Sequence, residues 1–122
     1  MAYEIISKVI KNKRNYRLSR FGLECKVKDS VFTMNHYGTP ILKVDLYERK
    51  VLSYGGYSLT DSAYINHALN QIAQLYGLDN NFHYRHSRRL NKIWIEDSHG
   101  NLYDNKMNLL DKNEVIKRDK GV

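Results

Sequence analysis

The stretch from Leu23 to Tyr54 restricts the fold more than any other part of the chain. LECKVK alternates apolar and polar residues, as a strand with one wet face does. Asp29-Ser30 is a turn signal, and VFTMNHY then sets Phe32, Met34 and His36 opposite Val31, Thr33 and Asn35. Gly38-Thr39-Pro40 interrupts the run, and ILKVDLY resumes it with Leu42, Val44 and Leu46 on one face. Glu48-Arg49-Lys50 then separates this run from VLSY. Breaks this short leave no room for parallel crossovers, so the spacing predicts an antiparallel meander.

The strongest helical signal follows. Ile65, Ala68, Leu69, Ile72 and Tyr76 recur at helical spacing, and Gly77 sits where a left-handed residue would close the helix. Ser58 with Asp61 fits a capping pattern, with Thr60 as the alternative cap. On the N-terminal side, YEIISKVI at 3–10 reads as a first strand. KNKRNYRLSRFG can be a loop, a ragged strand or part of a hairpin. Past the helix, NFHYRHSRRL suits a strand and KIWIED is a clearer one. Asp97-Ser98-His99-Gly100 then makes a hairpin turn. The expected fold is α+β: an antiparallel sheet of about five strands with one main helix packed on one face. The stripe from Ile65 to Tyr76 would cover Leu42, Val44, Leu46 and Trp94. The 122 residues form a single expected domain, with a basic N-terminal arm at 8–22 and a frayed polar tail at about 111–122.

Gly55-Gly56 ahead of a helix invites comparison with phosphate-binding loops. A Walker loop needs a lysine beside the Ser/Thr at the helix start, and a dinucleotide site needs G-x-G-x-x-G in a parallel unit. Neither pattern is present, and Asp61 in the first helical turn opposes an anion there. The pair therefore reads as a corner that needs positive φ or close backbone approach. His83 and His86 have metal-ligand spacing, but on a strand they would face opposite ways beside Arg85, Arg88 and Arg89. Cys25, the single cysteine, sits mid-strand as a small hydrophobe. The expectation is no catalytic, metal or cofactor site, and no enzyme activity.

Charge points elsewhere. The formal net charge is +7, which suits a polyanion or an acidic protein face. It concentrates in two acid-free segments, KNKRNYRLSRF and FHYRHSRR, that mix Arg and Lys with aromatic residues. Such a mix contacts phosphates and stacks on unpaired bases, and it equally forms protein interface hot spots. The candidate partner-binding residues are Lys11, Lys13, Arg14, Tyr16, Arg17 and Arg20 in the first segment. Around the second they are Tyr84, Arg85, Arg88, Arg89 and Lys92. No KH, RNP or zinc-finger fingerprint accompanies them. A lone cysteine, a polar start and no long apolar run fit a reducing, cytoplasmic setting and no membrane span. A homodimer through exposed strand edges is compatible with the pattern.

Between His36 and Met107 the chain carries His36-Tyr37-Gly38-Thr39-Pro40-Ile41, then Gly55-Gly56-Tyr57-Ser58-Leu59-Thr60 and Ile65-Asn66. Trp94-Ile95-Glu96-Asp97-Ser98-His99-Gly100 comes later, ahead of Tyr103 and Met107. This block, a little over half the chain, resembles small accessory proteins of bacteriophages and prophages. Their pattern runs H-G-[NT]-x-I-A, G-G-[WY]-x-[ST]-x-[ST], [IL]-N and a W-[YI]-x-x-D-x-x-G hairpin. Tyr57 stands where Trp is common, and Asp61-Ser62 where a basic residue is often found. The resemblance implies a compact α+β phage protein in the bacterial host cytoplasm. It also implies a non-enzymatic inhibitor of a host or anti-phage defence protein, with a Cas nuclease or its guide-RNA complex as a candidate target. The alternative is an accessory protein that binds RNA or single-stranded DNA directly.

Overall fold

The computed structural model describes residues 2–13, 16–18, 22–56, 59–78, 81–87 and 92–111, with main chain only at 16–18 and 59. The α+β class stands, with a second helix and a second sheet. The chain opens with helix α1, Ala2–Asn12, where the sequence pattern predicts a strand. Three isoleucines and a valine carry high strand propensity, but their spacing decides the outcome. Ala2, Ile5, Ile6, Val9 and Ile10 are buried, while Tyr3, Glu4, Lys8 and Lys11 are exposed. That stripe closes on a helix, whereas a strand would split Ile5 from Ile6. The Tyr76 hydroxyl donates to the Ile10 carbonyl at 2.5 Å, satisfying one of the acceptors that a helix end leaves open.

Five strands follow as a continuous antiparallel meander: β1 Tyr16–Leu18, β2 Leu23–Lys28, β3 Val31–His36, β4 Thr39–Asp45 and β5 Lys50–Tyr54. Two hairpins use left-handed residue pairs, Asp29-Ser30 and Tyr37-Gly38, whose φ values of 52°, 65°, 51° and 79° match the twist of the flanking strands. The β4–β5 turn is held by Asp45, whose Oδ1 accepts from the Tyr47 and Glu48 amides. Cross-strand register aligns Cys25, Met34, Leu42 and Tyr54 on one face. All four are buried, and α1 packs on β1 and β2 while α2 packs on β4.

Helix α2, Leu59–Leu75, carries the predicted stripe inward through Ile65, Ala68, Leu69 and Ile72. Gly77 closes it with φ +82°, its amide reaching back to the Ile72 carbonyl at 3.1 Å. Thr60 lies within the helix, so it is not the cap; Ser58 lies outside the described residues. A three-stranded antiparallel sheet then forms from β6 Phe82–Ser87, β7 Lys92–Asp97 and β8 Leu102–Tyr103. It packs beside α2 and joins the first sheet at β5. There the Tyr54 amide donates to the Asn105 carbonyl at 3.0 Å and the Tyr54 hydroxyl to Tyr103 at 2.6 Å. Tyr84 and Ile95 complete one core shared with both helices and the first sheet. Trp94 departs from expectation. It alternates with buried Ile95 and lies half-buried on the opposite face of β7.

Gly55-Gly56 is a corner, and close approach explains it. Neither glycine has positive φ. A Cβ on Gly56 would stand 2.6 Å from the Tyr84 hydroxyl and 3.2 Å from the Asp61 Cβ. The glycine lets the second sheet and the first turn of α2 meet over one backbone.

Beyond β7, the hairpin turn is organised by Asp97. Its carboxylate accepts from the His99 and Asn101 amides, the Asn101 side chain and the Tyr103 hydroxyl. Burial alone would raise its pKa, but these four donors outweigh it and hold the carboxyl below its ordinary range. The folded state therefore favours the ionised form. This stabilisation is present above the unfolded carboxyl pKa and is lost as pH falls through the folded one. Asp97→Asn should cost about 1–3 kcal/mol at pH 7 by leaving donors poorly matched. It should also flatten the acid limb of stability below about pH 4. Urea midpoints collected from pH 3 to pH 7 measure both effects.

Candidate interface

Two histidine contacts have the form of catalytic pairings. Ser7 Oγ lies 2.8 Å from His67 Nε2, but the same nitrogen is 3.0 Å from the Tyr3 carbonyl. A carbonyl only accepts, so the contact with Tyr3 calls for a proton on Nε2, the tautomer that does not accept from Ser7. His36 Nδ1 and Asp61 Oδ1 are 2.5 Å apart, with side chains 11% and 6% exposed. Tyr64 meets the His36 ring edge-on at 5.5 Å and Tyr37 lies against it, tilted, at 4.5 Å. This pair ties the first turn of α2 to the end of β3.

The Cys25 thiol is pushed up to about 12 by burial and then by Glu24, leaving it a protonated core group. His83 and His86 lie on β6 three residues apart and so on opposite faces. Among the described residues, no three His, Cys, Asp or Glu side chains converge as a metal site would require.

The predicted basic residues separate into two locations. Lys11 and Lys13 are exposed at the end of α1, and the Lys13 ammonium sits 5.3 Å over the Tyr76 ring. Tyr16 and Arg17 belong to edge strand β1, opposite Cys25 and Glu24. Arg14 and Arg20 lie outside the described residues, as do Arg88 and Arg89.

Tyr84 is a correction. It is 1% exposed and packs edge-on against Tyr54 at 5.6 Å, so its ring serves the core and not a partner. Arg85 is exposed and its Nε pairs with Glu96, while Lys92 is half-buried opposite Ser87. Trp94 stands directly across from Arg85, so the outer face of the β6–β7 hairpin presents Arg, Lys and Trp together. The first segment accompanies α1 and β1 and the hairpin lies beyond β5, at opposite edges of the five-stranded sheet.

Between them lies a basic surface that the sequence reading missed. The face of the five-stranded sheet away from the helices carries two cross-strand rows. Lys26, Thr33, Lys43 and Ser53 are in register across β2 to β5, and Lys28, Val31, Asp45 and Lys50 form the row beside them. Lys26, Lys28 and Lys43 are exposed and have no acidic partner among the described residues; Lys50 reaches Glu48 at 3.4 Å. Neighbouring strands are about 4.8 Å apart, which sets Lys26 and Lys43 roughly 10 Å from each other. The alternation in LECKVK and ILKVDLY holds the signal for each lysine, but only the register brings them into one row.

No helix among the described residues is long and apolar enough to cross a membrane. The chain matches no known protein family, curated protein or solved structure.

Proposed function

We propose that this chain is a non-enzymatic binding protein that acts by stoichiometric docking on a host or anti-phage defence protein. A CRISPR nuclease or its guide-RNA complex is the leading candidate. The observation that carries the docking half of this reading is the sheet face away from α1 and α2, where Lys26 and Lys43 share one cross-strand row and Lys28 stands in the next. Such a face suits an acidic surface or the phosphates of a bound nucleic acid. The anti-phage half rests on the resemblance of the block from His36 to Met107. Dose separates docking from turnover. Inhibition of the target should become complete only near one copy per target molecule. Abolition by a tenth of that amount would mean turnover and sink the proposal.

One observation favours direct binding of RNA or single-stranded DNA as a second reading. Trp94, Arg85 and Lys92 share the outer face of the β6–β7 hairpin, which supplies a stacking ring beside cations.

A further inference from the structure

A groove of about 490 Å³ opens between α2 and the start of β6. Leu69, Ala73 and Phe82 form its apolar floor, while Asn70, Asn81 and His83 stand exposed at its rim. Asn66 also borders it, but its amide is committed: Nδ2 donates to the Tyr84 carbonyl at 3.1 Å and Oδ1 accepts from the Tyr84 amide at 2.7 Å. That pairing covers the edge of β6 at its centre and blocks addition of a peptide strand there.

We propose that this groove is a binding site for an unpaired nucleobase of single-stranded RNA or DNA, which gives the second reading above its point of contact. The chemistry of the lining carries the assignment. No Lys, Arg, Asp or Glu side chain lines the groove among the described residues, so it offers nothing to a phosphate or an ammonium group. The Asn70 and Asn81 amides make no hydrogen bond to the described residues and each present both a donor and an acceptor. The His83 imidazole is held toward its neutral form by burial and by Arg85, so it adds one donor and one acceptor instead of a charge. Neutral rim groups of mixed polarity over an apolar, aromatic floor match a flat heterocycle with donors and acceptors on its edge. The volume lies within the roughly 300–1,000 Å³ of small-ligand sites.

The strand continues the match. Arg85 lies two residues beyond His83 on the same face of β6, about 7 Å along the strand. Its pairing with Glu96 uses Nε, leaving the terminal amino groups for a phosphate of the same nucleotide. A base in the groove and its phosphate on Arg85 divide the work between neutral and charged groups, and the two parts respond differently to salt.

The test is fluorescence anisotropy of the full chain with a labelled ten-nucleotide single strand, at several salt concentrations. The N70A/N81A double variant should weaken binding at least tenfold and leave the salt slope unchanged, because it removes no charge. Arg85→Ala should lower the slope by about 0.7, the share of one single-strand phosphate. An abasic strand of equal length should bind as weakly to the wild type as the normal strand binds to N70A/N81A. Circular dichroism confirms that each variant folds; Asn70 and Asn81 are exposed, so folding is expected to be retained. No binding by the wild type would overturn the assignment. Equal affinity for normal and abasic strands, or wild-type affinity in N70A/N81A, would overturn it as well. None of these outcomes bears on whether the chain docks on a defence protein through Lys26 and Lys43.

Discussion

Asn66→Ala is expected to destabilise the protein by about 2–6 kcal/mol, lowering the thermal midpoint by several degrees per kcal/mol. The side-chain amide of Asn66 replaces a neighbouring strand for Tyr84, satisfying both its amide and its carbonyl. Tyr84 is 1% exposed, so water does not compensate when that partner goes. Two buried main-chain groups are then left open at once, each costing about 1–3 kcal/mol. Asn66→Asp is the informative companion. Its carboxylate can still accept from the Tyr84 amide but offers no donor to the carbonyl, so it should recover only part of the loss. Chemical denaturation of the two variants beside wild type checks the order. Equal stability of all three would remove Asn66 as the link between α2 and the second sheet.

The second large effect is expected at Asp61. Asp61→Ala should cost about 1–3 kcal/mol, because it leaves the largely enclosed His36 imidazole without the carboxylate at 2.5 Å. Removing both partners together should cost less than the sum of the single changes, since the double variant removes both sides of the contact at once. A double-mutant cycle with His36→Phe measures this, the phenyl ring retaining the tilted contact with Tyr37 and the edge contact with Tyr64. Strict additivity would mean that the pair contributes nothing as a pair.

Together, Gly56, Asp61 and Asn66 explain the block from Leu52 to Ile72. Gly56 admits the Tyr84 hydroxyl, Asp61 grips the end of β3, and Asn66 grips the middle of β6. Helix α2 is thereby fixed to both sheets within its first three turns.

How much of this was legible in the sequence depends on the range of the interaction that decides each element. The meander was readable because alternation and two-residue turns are local signals, and Asp29-Ser30 closes its hairpin without help from elsewhere. Helix α2 was readable from the stripe through Ile65, Leu69 and Ile72. In YEIISKVI half the residues are β-branched and favour a strand, although the pairs at Ile5-Ile6 and Val9-Ile10 already hold a helical period. Trp94 is expected under the α2 stripe, yet its position beside Ile95 places it on the outer face. The basic neighbours of Tyr84 suggest an interface, and the alternation of FHYRHS turns its ring inward. The lysine row and the Asn70–Asn81 groove rest on register and on helix–strand contact, and neither exists in the sequence until the chain folds.

The central claim, docking through the sheet face away from α1 and α2, is tested by affinity capture. Tagged wild type and the K26E/K43E variant, whose exposed positions leave the core intact, are recovered from phage- or plasmid-challenged cells with and without nuclease. Captured proteins are quantified by mass spectrometry. The account predicts one protein enriched with wild type near equimolar amount and depleted at least tenfold with K26E/K43E. Equal recovery of that protein with both, or no enriched protein at all, would contradict it.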